Sequence, residues 1–225
     1  MEQQSFIERL MEFGLTRQEA NIYQCLLTEG KVTGYEVSKQ TGISRSNAYN
    51  SLANMTEKGA SYLVEEGHTR KYVPVPLDEF CRNRIRKLEE SRNWLIAHVP
   101  SERTYVEGYI TIEGADHILD KMRNILKKVE ERVYISLTRN YLLLLVGELQ
   151  TLIAAKKQVV IITDQPTAFS RAKVYVGEDR GMRIGVIADS RYVLTGEYGE
   201  GSMNTCLYSG QKNFVELYRT ALSNE

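Results

Sequence analysis

The sequence predicts a two-domain protein of mixed α and β structure, in which an α+β domain and an α/β domain are joined by one long helix. Three helix starts and a hairpin pattern follow one another over residues 16–72, residues 77–100 have an unbroken helical pattern, and short apolar strands alternate with amphipathic helices after that. We therefore expect a winged helix-turn-helix over residues 1–76, a linking helix over 77–100 and an α/β domain over 105–225. A chain of 225 residues is long enough for two small domains.

The helix starts of the N-terminal domain are marked by capping residues. In a capping box, a Thr side chain accepts from the amide three residues later, and the Glu at that position accepts from the Thr amide. Two pairs have this spacing: Thr16 with Glu19, and Thr33 with Glu36. A third helix is expected from Ser44 to Gly59, after a turn at Gly42. A β-hairpin over residues 62–73 then completes the predicted winged helix-turn-helix.

The third helix is the predicted recognition helix, which in such domains enters the major groove of double-stranded DNA. Arg45 is expected to donate two hydrogen bonds to guanine, and Asn50 or Asn47 to bind adenine. The other outward residues are Ser44 and Ser46, assigned to phosphate contact or capping, and Tyr49, assigned to a thymine methyl or a phosphate, or alternatively to packing.

Basic residues are concentrated in and after the predicted wing. We expect His68, Arg70 and Lys71 to contact DNA phosphates, which supplies affinity but little sequence information. The alternative for this basic run is a solvated helix face. The formal net charge of zero argues against a nonspecific nucleic-acid coat, but a sequence-specific reader needs only a local basic surface.

The linking helix over residues 77–100 has an apolar seam with the spacing of a coiled coil. Its inward positions alternate steps of four and three residues: Cys81, Ile85, Leu88, Arg92, Leu95 and Val99. We expect a two-stranded coiled coil between two copies of the chain; the alternative is a helix packed on its own domain. A homodimer predicts a palindromic operator with half-sites roughly one DNA turn, ~10 bp, or a multiple of it apart.

The C-terminal domain is predicted to contain an α/β sheet that is at least partly parallel, because strands and helices alternate along it. A hairpin is expected around Asp189-Ser190-Arg191. Ligands of such sheets bind beyond the carboxyl ends of the strands. We therefore expect a small-molecule effector to contact the polar residues there, Ser136, Thr138, Arg139 and Asp164. The alternative role for this domain is dimerisation alone.

Other features of the sequence predict a cytoplasmic protein without metal or cofactor. Cys25, Cys81 and Cys206 are far apart and form no CxxC pair, so free thiols are expected rather than a zinc site. The N-terminus has no signal-peptide pattern. The longest apolar run, residues 141–146, is too short to span a bilayer, so no membrane partner is expected.

Two stretches of the N-terminal part match a known family pattern. The pattern L-T-x-x-E-A-x-x-Y-x-x-L-L-x-x-G is matched by Leu15-Thr16, Glu19-Ala20, Tyr23, Leu26-Leu27 and Gly30. The stretch G-I-S-R-S-N-A-Y-N-S-L occupies residues 42–52, and Lys58-Gly59 and Arg70-Lys71-Tyr72 follow. These residues, across nearly half of the chain, resemble the TrmB-like transcriptional regulators. Ala60-Ser61-Tyr62 departs from the family pattern and leaves the start of the wing open by two or three residues.

The C-terminal domain resembles the phospholipase D-like domain that these regulators carry. The catalytic motif of that superfamily is H-x-K-x4-D-x6-G-S. Aligned on Asp189, Met182 stands at the His position, Ile184 at the Lys position and Glu197 at the Ser position, while Gly196 is kept. Met and Ile can neither attack a phosphate nor stabilise its charge, so the resemblance implies the fold without hydrolysis. The sugar-binding archaeal members carry a further C-terminal segment involved in sugar contact; we expect this sequence to end before it, so a sugar effector is not part of the expectation.

Together these patterns predict a dimeric, sequence-specific DNA-binding transcriptional regulator with no catalytic residues. Two other classes compete with it. One is a phosphodiesterase or nuclease of the phospholipase D superfamily, which the missing His and Lys disfavour. The other is a winged-helix protein-interaction module, which the net charge of zero leaves open.

Overall fold

The computed structural model describes residues 2–100, 108–177, 181–201 and 203–223. The chain forms two compact units, residues 1–102 and 103–225, and each has its own buried apolar core. The boundary predicted at residue 105 lies outside the described residues. The three-part division into residues 1–76, 77–100 and 105–225 stays a prediction.

The first unit begins with four helices whose starts match the capping residues. They are α1 (Glu2–Glu12), α2 (Arg17–Glu29), α3 (Gly34–Thr41) and α4 (Arg45–Glu57). Both predicted capping boxes form. At α2 the Thr16 hydroxyl accepts from the Glu19 amide at 3.2 Å, and the Glu19 carboxylate accepts from the Thr16 amide at 2.7 Å. Ser44 caps α4 by accepting from the Asn47 amide.

A three-stranded antiparallel sheet forms from one strand between α2 and α3 and from the two strands of the wing after α4. Its strands are β1 (Val32–Thr33), β2 (Ser61–Glu66) and β3 (Thr69–Pro74), in the order β1-β3-β2 among the described residues. The predicted hairpin is confirmed, and the start left open by the sequence falls at Ser61. β1 was not predicted, because a strand of two residues carries no periodicity and forms only by pairing with β3.

The core of the first unit gathers around Tyr23 of α2. The Tyr23 ring is fully buried, and its hydroxyl donates to the carbonyl of Val75 at 2.7 Å. Phe80 packs against it with the ring centroids 5.4 Å apart. Phe80 belongs to α5 (Leu77–Ala97), so the first turn of this helix is anchored in the core of the winged helix-turn-helix.

Beyond its first turns, α5 leaves its apolar seam uncovered. Ile85 is 47% exposed, Leu88 53% and Leu95 62%, whereas Cys81 is half-buried. The alternative in which the whole helix packs on its own domain is therefore wrong for all but the start of α5. The seam is free to pack against another chain, and the coiled coil between two copies stays a prediction.

The second unit contains a seven-stranded mixed sheet, counted over the described residues. The strand order is β4-β10-β9-β8-β5-β6-β7. The elements are β4 (Tyr109–Glu113), α6 (Ala115–Lys127), β5 (Arg132–Ser136), α7 (Arg139–Leu142), α8 (Val146–Ala154), β6 (Gln158–Thr163), β7 (Lys173–Val176), β8 (Arg183–Ala188), β9 (Tyr192–Glu197), β10 (Thr205–Ser209) and α9 (Lys212–Ser223). Strands β5, β6 and β7 are parallel and the other pairs are antiparallel, so the predicted partly parallel α/β sheet is confirmed.

Two parts of the second unit differ from the sequence prediction. The sequence pattern predicts one helix over residues 141–155, but the structure divides this segment into α7, a 3₁₀ turn at Leu143–Leu145, and α8. β10 was not predicted, and it separates β4 from β9 at one side of the sheet. The phospholipase D-like identity of this sheet stays a prediction.

The hairpin between β8 and β9 is held by Asp189. Asp189 and Ser190 both have positive φ, 50° and 52°, as the type I′ turns that connect hairpin strands require. The Asp189 carboxylate accepts from the backbone amides of Glu130, Glu131 and Arg132 at 2.8–2.9 Å. Burial raises the pKa of Asp189, but these three amides outweigh it and hold the pKa below its ordinary value. The aspartate that aligned the sequence to a catalytic motif therefore fastens a turn.

Candidate nucleic-acid interface

The pair α3 and α4 forms a helix-turn-helix whose turn is fixed by backbone and side-chain hydrogen bonds. Gly42 ends α3 in the left-handed conformation, with φ of 71°. The Ser38 hydroxyl donates to the carbonyl of Ile43 at 2.7 Å across the turn. Ala48 and Leu52 are fully buried, so the inner face of α4 is locked into the core. The outer face is thereby held in one orientation.

That outer face presents the predicted base-reading residues. Ser44, Arg45, Ser46, Asn47 and Asn50 are all exposed. Within the described part of the chain, the side chains of Ser46, Asn47 and Asn50 make no hydrogen bond, so their donors and acceptors are available to a ligand. The structure brings these residues onto one surface at the N-terminal half of α4.

Arg45 is held in place by Tyr35, a residue that the sequence analysis did not select. The guanidinium carbon of Arg45 lies 4.5 Å from the centroid of the Tyr35 ring, and the ring is 49% exposed. An exposed cation–π contact contributes about 0.5–1 kcal/mol, enough to orient an arginine without trapping it. An exposed aromatic residue in the helix before a recognition helix was the only sequence sign of this role.

The Tyr49 side chain packs against α3 instead of extending away from the protein surface. A Cβ on Gly34 would lie 2.5 Å from Cε1 of the Tyr49 ring, so the ring rests directly on the glycine at the start of α3. Tyr49 is still 43% exposed. One face of the Tyr49 ring therefore has the packing role that the sequence left open. The exposed part of the ring lies on the same side of α4 as Arg45, which is four residues away.

The wing carries the predicted phosphate ligands, but each cationic one has an acidic partner. Arg70 pairs with Glu65 at 3.3 Å, and Lys71 pairs with Glu66 at 2.9 Å. Lys31 also pairs with Glu66. Hydrogen bonds from Lys31 and then from Lys71 lower the pKa of Glu66 to about 2, so it stays ionised. His68 is exposed at the tip.

Among the described residues, the cleft lined by Ser136 is not shared with the other residues predicted to bind an effector. Ser136 lines a cleft of about 320 Å³ with Thr195, Glu197 and other residues, and that cleft does not include Thr138, Arg139 or Asp164. The Asp164 carboxylate accepts from the backbone amide of Arg139 at 2.7 Å, and this bond lowers the pKa of Asp164.

The Arg139 guanidinium donates to the Gln165 side chain at 3.3 Å. Arg139 and Asp164 therefore fasten the start of α7 to the end of β6. Their role as effector ligands stays a prediction.

The positions aligned with the His and Lys of a phospholipase D motif hold apolar side chains. Ile184 is buried in the apolar core, and Met182 is 39% exposed. In the described ranges, no group of three or more His, Cys, Asp or Glu side chains is arranged to hold a metal ion. None of the helices in those ranges combines the length and apolar character needed to cross a membrane.

The first unit is similar in sequence to a family of known transcriptional regulators. Residues 10–78 match the family model described as "Sugar-specific transcriptional regulator TrmB". The chain is 28% identical over 170 residues to the uncharacterized protein YrhO of Bacillus subtilis, covering 71% of this chain and 58% of that protein. It is 24% identical over 217 residues to the HTH-type sugar sensing transcriptional regulator TrmBL1 of Pyrococcus furiosus, covering 93% of this chain and 61% of that protein.

Among solved structures, TrmBL2, described as an archaeal chromatin protein with a novel mode of DNA binding, superimposes with a TM-score of 0.47 at 14% identity, covering 98% of this chain and 96% of that one. The chain spans about three fifths of the length of the curated relatives it matches. The first unit is a winged helix-turn-helix domain. Over residues 10–78 this domain is similar to the TrmB family of transcriptional regulators.

Proposed function

We propose that this chain is a sequence-specific DNA-binding transcriptional regulator. One observation carries the proposal: the exposed N-terminal half of α4 presents Arg45, Asn47 and Asn50 together on a helix whose opposite face is locked in the core. Arginine and asparagine are the side chains that form bidentate hydrogen bonds to guanine and adenine in the major groove. Tyr35 orients the arginine before DNA is bound.

The regulator acts as a homodimer. The uncovered seam of α5, with Leu88 and Leu95 more than half exposed, supports pairing of two chains along this helix. Two-fold symmetry then requires a palindromic operator. The second unit contributes to dimerisation or senses an effector, and it carries no catalytic activity, since Met182 and Ile184 replace the residues that phosphate hydrolysis needs.

The test is selection of bound sequences from a random DNA duplex library with the full chain at low salt. Wild type is expected to enrich one palindromic motif, and Arg45→Ala should lose it or relax one base position in each half-site. Arg171→Ala removes the same charge from an exposed site in the second unit and should keep the motif. No enrichment by wild type, or an unchanged motif with Arg45→Ala, would refute direct readout by α4.

A protein-interaction module is the second candidate, and the balanced charges of the wing favour it. Glu65 and Glu66 offset Arg70 and Lys71, which a surface devoted to phosphate would not need. Salt separates the two candidates. DNA binding weakens with salt by a slope that counts the phosphates contacted, so a flat salt response of the complex would favour a protein partner.

A further inference from the structure

A cleft at one end of the second sheet has no role in DNA binding or in the predicted effector contacts. It lies between α6 and the turn that joins β8 to β9, at the other end of β8 from Met182. Its volume is about 300 Å³, and its polar and aromatic lining includes Lys121, Asn124, Lys128, Arg191, Tyr192 and Tyr208. This volume is at the small end of the range for ligand pockets.

The cleft has two cations that no carboxylate neutralises. In the described part of the chain, neither Lys121 nor Lys128 forms an ion pair, although both line the same space. The two carboxylates at the cleft have other partners. Glu130 pairs with Arg191, a third cation of the lining, at 3.2 Å, and Asp189 accepts from the three backbone amides that hold its turn.

Lys121 is placed where a free cation is unfavourable. It is half-buried, and its Nζ lies 3.7 Å from the centroid of the Tyr208 ring. Burial lowers the pKa of Lys121, and the neighbouring charge of Lys128 lowers it further. The contact with Tyr208 offsets part of this cost. A bound anion between the two ammonium groups would offset the rest.

The aromatic wall of the cleft favours an organic ligand over a bare ion. Tyr192 and Tyr208 stack with their ring centroids 5.7 Å apart and their planes 12° from parallel. Tyr192 is 47% exposed, so apolar surface is presented beside the two lysines. A cationic end and a flat apolar side in one small cleft suit a molecule with a charged head and a compact body.

We propose that this cleft binds a small organic phosphate, a phosphomonoester whose dianionic head lies between Lys121 and Lys128 and whose body packs on the exposed ring of Tyr192. Two lysine charges match the charge of a phosphomonoester near neutral pH. Asn124 supplies an amide donor at the same opening. The site does not depend on whether the first unit binds DNA.

The test is isothermal titration of the full chain with phenyl phosphate and with inorganic phosphate, at constant ionic strength set by potassium chloride. Phenyl phosphate is expected to bind saturably and at least about tenfold more tightly than inorganic phosphate, because only it reaches the tyrosine wall. Lys121→Met keeps an apolar stem beside Tyr208 but removes the charge. Lys128→Gln changes an exposed side chain that folding does not require.

Each of these variants should weaken binding of phenyl phosphate by about tenfold or more, as loss of a charge-assisted hydrogen bond does. Lys127→Gln, one residue away and outside the cleft, is the matched control and should stay within about twofold of wild type. The absence of saturable binding, equal affinity for the two probes, or an equal loss in Lys127→Gln would each overturn the proposal.

Discussion

At the scale of single residues, two positions of the family pattern are explained by one buried ion pair. Glu19 is 2% exposed and accepts from Lys58 Nζ at 2.6 Å. Lys58 also donates to the carbonyl of Gly14 at 3.0 Å. Glu19 stands at the start of α2 and Lys58 at the end of α4, so the pair joins the two ends of the helical core. This is a structural role, separate from DNA contact.

Lys58→Met should destabilise the first unit by about 2–3 kcal/mol near pH 7, because it leaves the Glu19 charge buried without its partner. Burial raises the pKa of Glu19, but hydrogen bonds from Lys58 and Thr16 bring it below 4.5. In wild type the pair therefore stabilises above that value and its contribution is lost as the pH falls below it. Urea denaturation across a pH series, followed by circular dichroism, measures the loss of stability in the variant and the pH dependence of the ion pair's contribution.

The Lys58→Met variant loses the Lys58 hydrogen bond and charge that lower the pKa of Glu19, so the deficit should shrink as the pH falls and the carboxyl group is protonated. The double variant Glu19→Gln with Lys58→Met should recover part of the loss at pH 7. A deficit in Lys58→Met that is independent of pH would mean that lost packing of the lysine stem, rather than charge, causes it.

At the scale of elements, the contact between Tyr49 and Gly34 sets the distance between α4 and α3. Gly34 has no unusual backbone requirement, because it lies at the first position of α3 without a positive φ. The constraint is instead the Tyr49 ring against it. The recognition surface therefore depends on a side chain from one helix seated on a glycine of the other.

Gly34→Ala should destabilise the first unit by about 1–2 kcal/mol, since the added methyl overlaps the Tyr49 ring in a packed position. In a Tyr49→Ala background the same change should become neutral or stabilising, because Ala is the better helix former. A double-mutant cycle of unfolding free energies measures this reversal. Equal effects in both backgrounds would show that Tyr49 does not impose the glycine.

The wing is the second element whose behaviour follows from its contacts. Lys31 and Lys71 both engage Glu66, so a phosphate that approaches Lys71 must compete with a carboxylate of the same chain. Exposed ion pairs are weak and exchange readily, so the competition lowers affinity without preventing contact.

Glu66→Gln should therefore raise affinity for operator DNA by about threefold or more and steepen the dependence of affinity on salt, because one more phosphate is neutralised. Fluorescence anisotropy across a salt series measures both quantities. Glu8→Gln, an exposed change in α1, controls for the altered net charge. A gain of the same size in that control would attribute the effect to net charge instead of to the wing.

At the scale of the whole molecule, elements specified by neighbouring residues were predictable and those specified by distant ones were not. The capping boxes at Thr16 and Thr33 and the turn at Asp189-Ser190 depend on residues close in sequence, and all three form. β1 and β10 exist only because remote strands pair with them.

In the candidate site, too, the features specified by neighbouring residues were predictable and those specified by distant residues were not. The outward face of α4 follows from helical periodicity, so Arg45 and Asn50 were placed on it from the sequence. The stacking of Tyr35 on Arg45 joins two helices, and the partners of the wing cations join a strand to other segments. The cleft beside α6 also includes residues of three strands far along the chain, β8, β9 and β10. No local pattern could have revealed these contacts.

The assembly of two chains depends on the uncovered seam of α5. Leu88 and Leu95 are both seam residues and more than half exposed, so a pair of acidic substitutions there places charges inside a coiled coil while leaving the core around Phe80 untouched. The variant Leu88→Asp with Leu95→Asp should weaken dimerisation by about a hundredfold or more, since each buried leucine contributes on the order of 2–3 kcal/mol. Sedimentation equilibrium measures the change.

The matched control, Asn83→Asp with Asn93→Asp, adds the same two charges to α5 at positions off the seam, and it should dimerise like wild type. Loss of the dimer should also reduce affinity for a palindromic operator far more than for a single half-site, because only the dimer engages both halves at once. An unchanged dimer in the leucine variant would assign subunit pairing to the second unit, and the exposed leucines of α5 would then need a different partner.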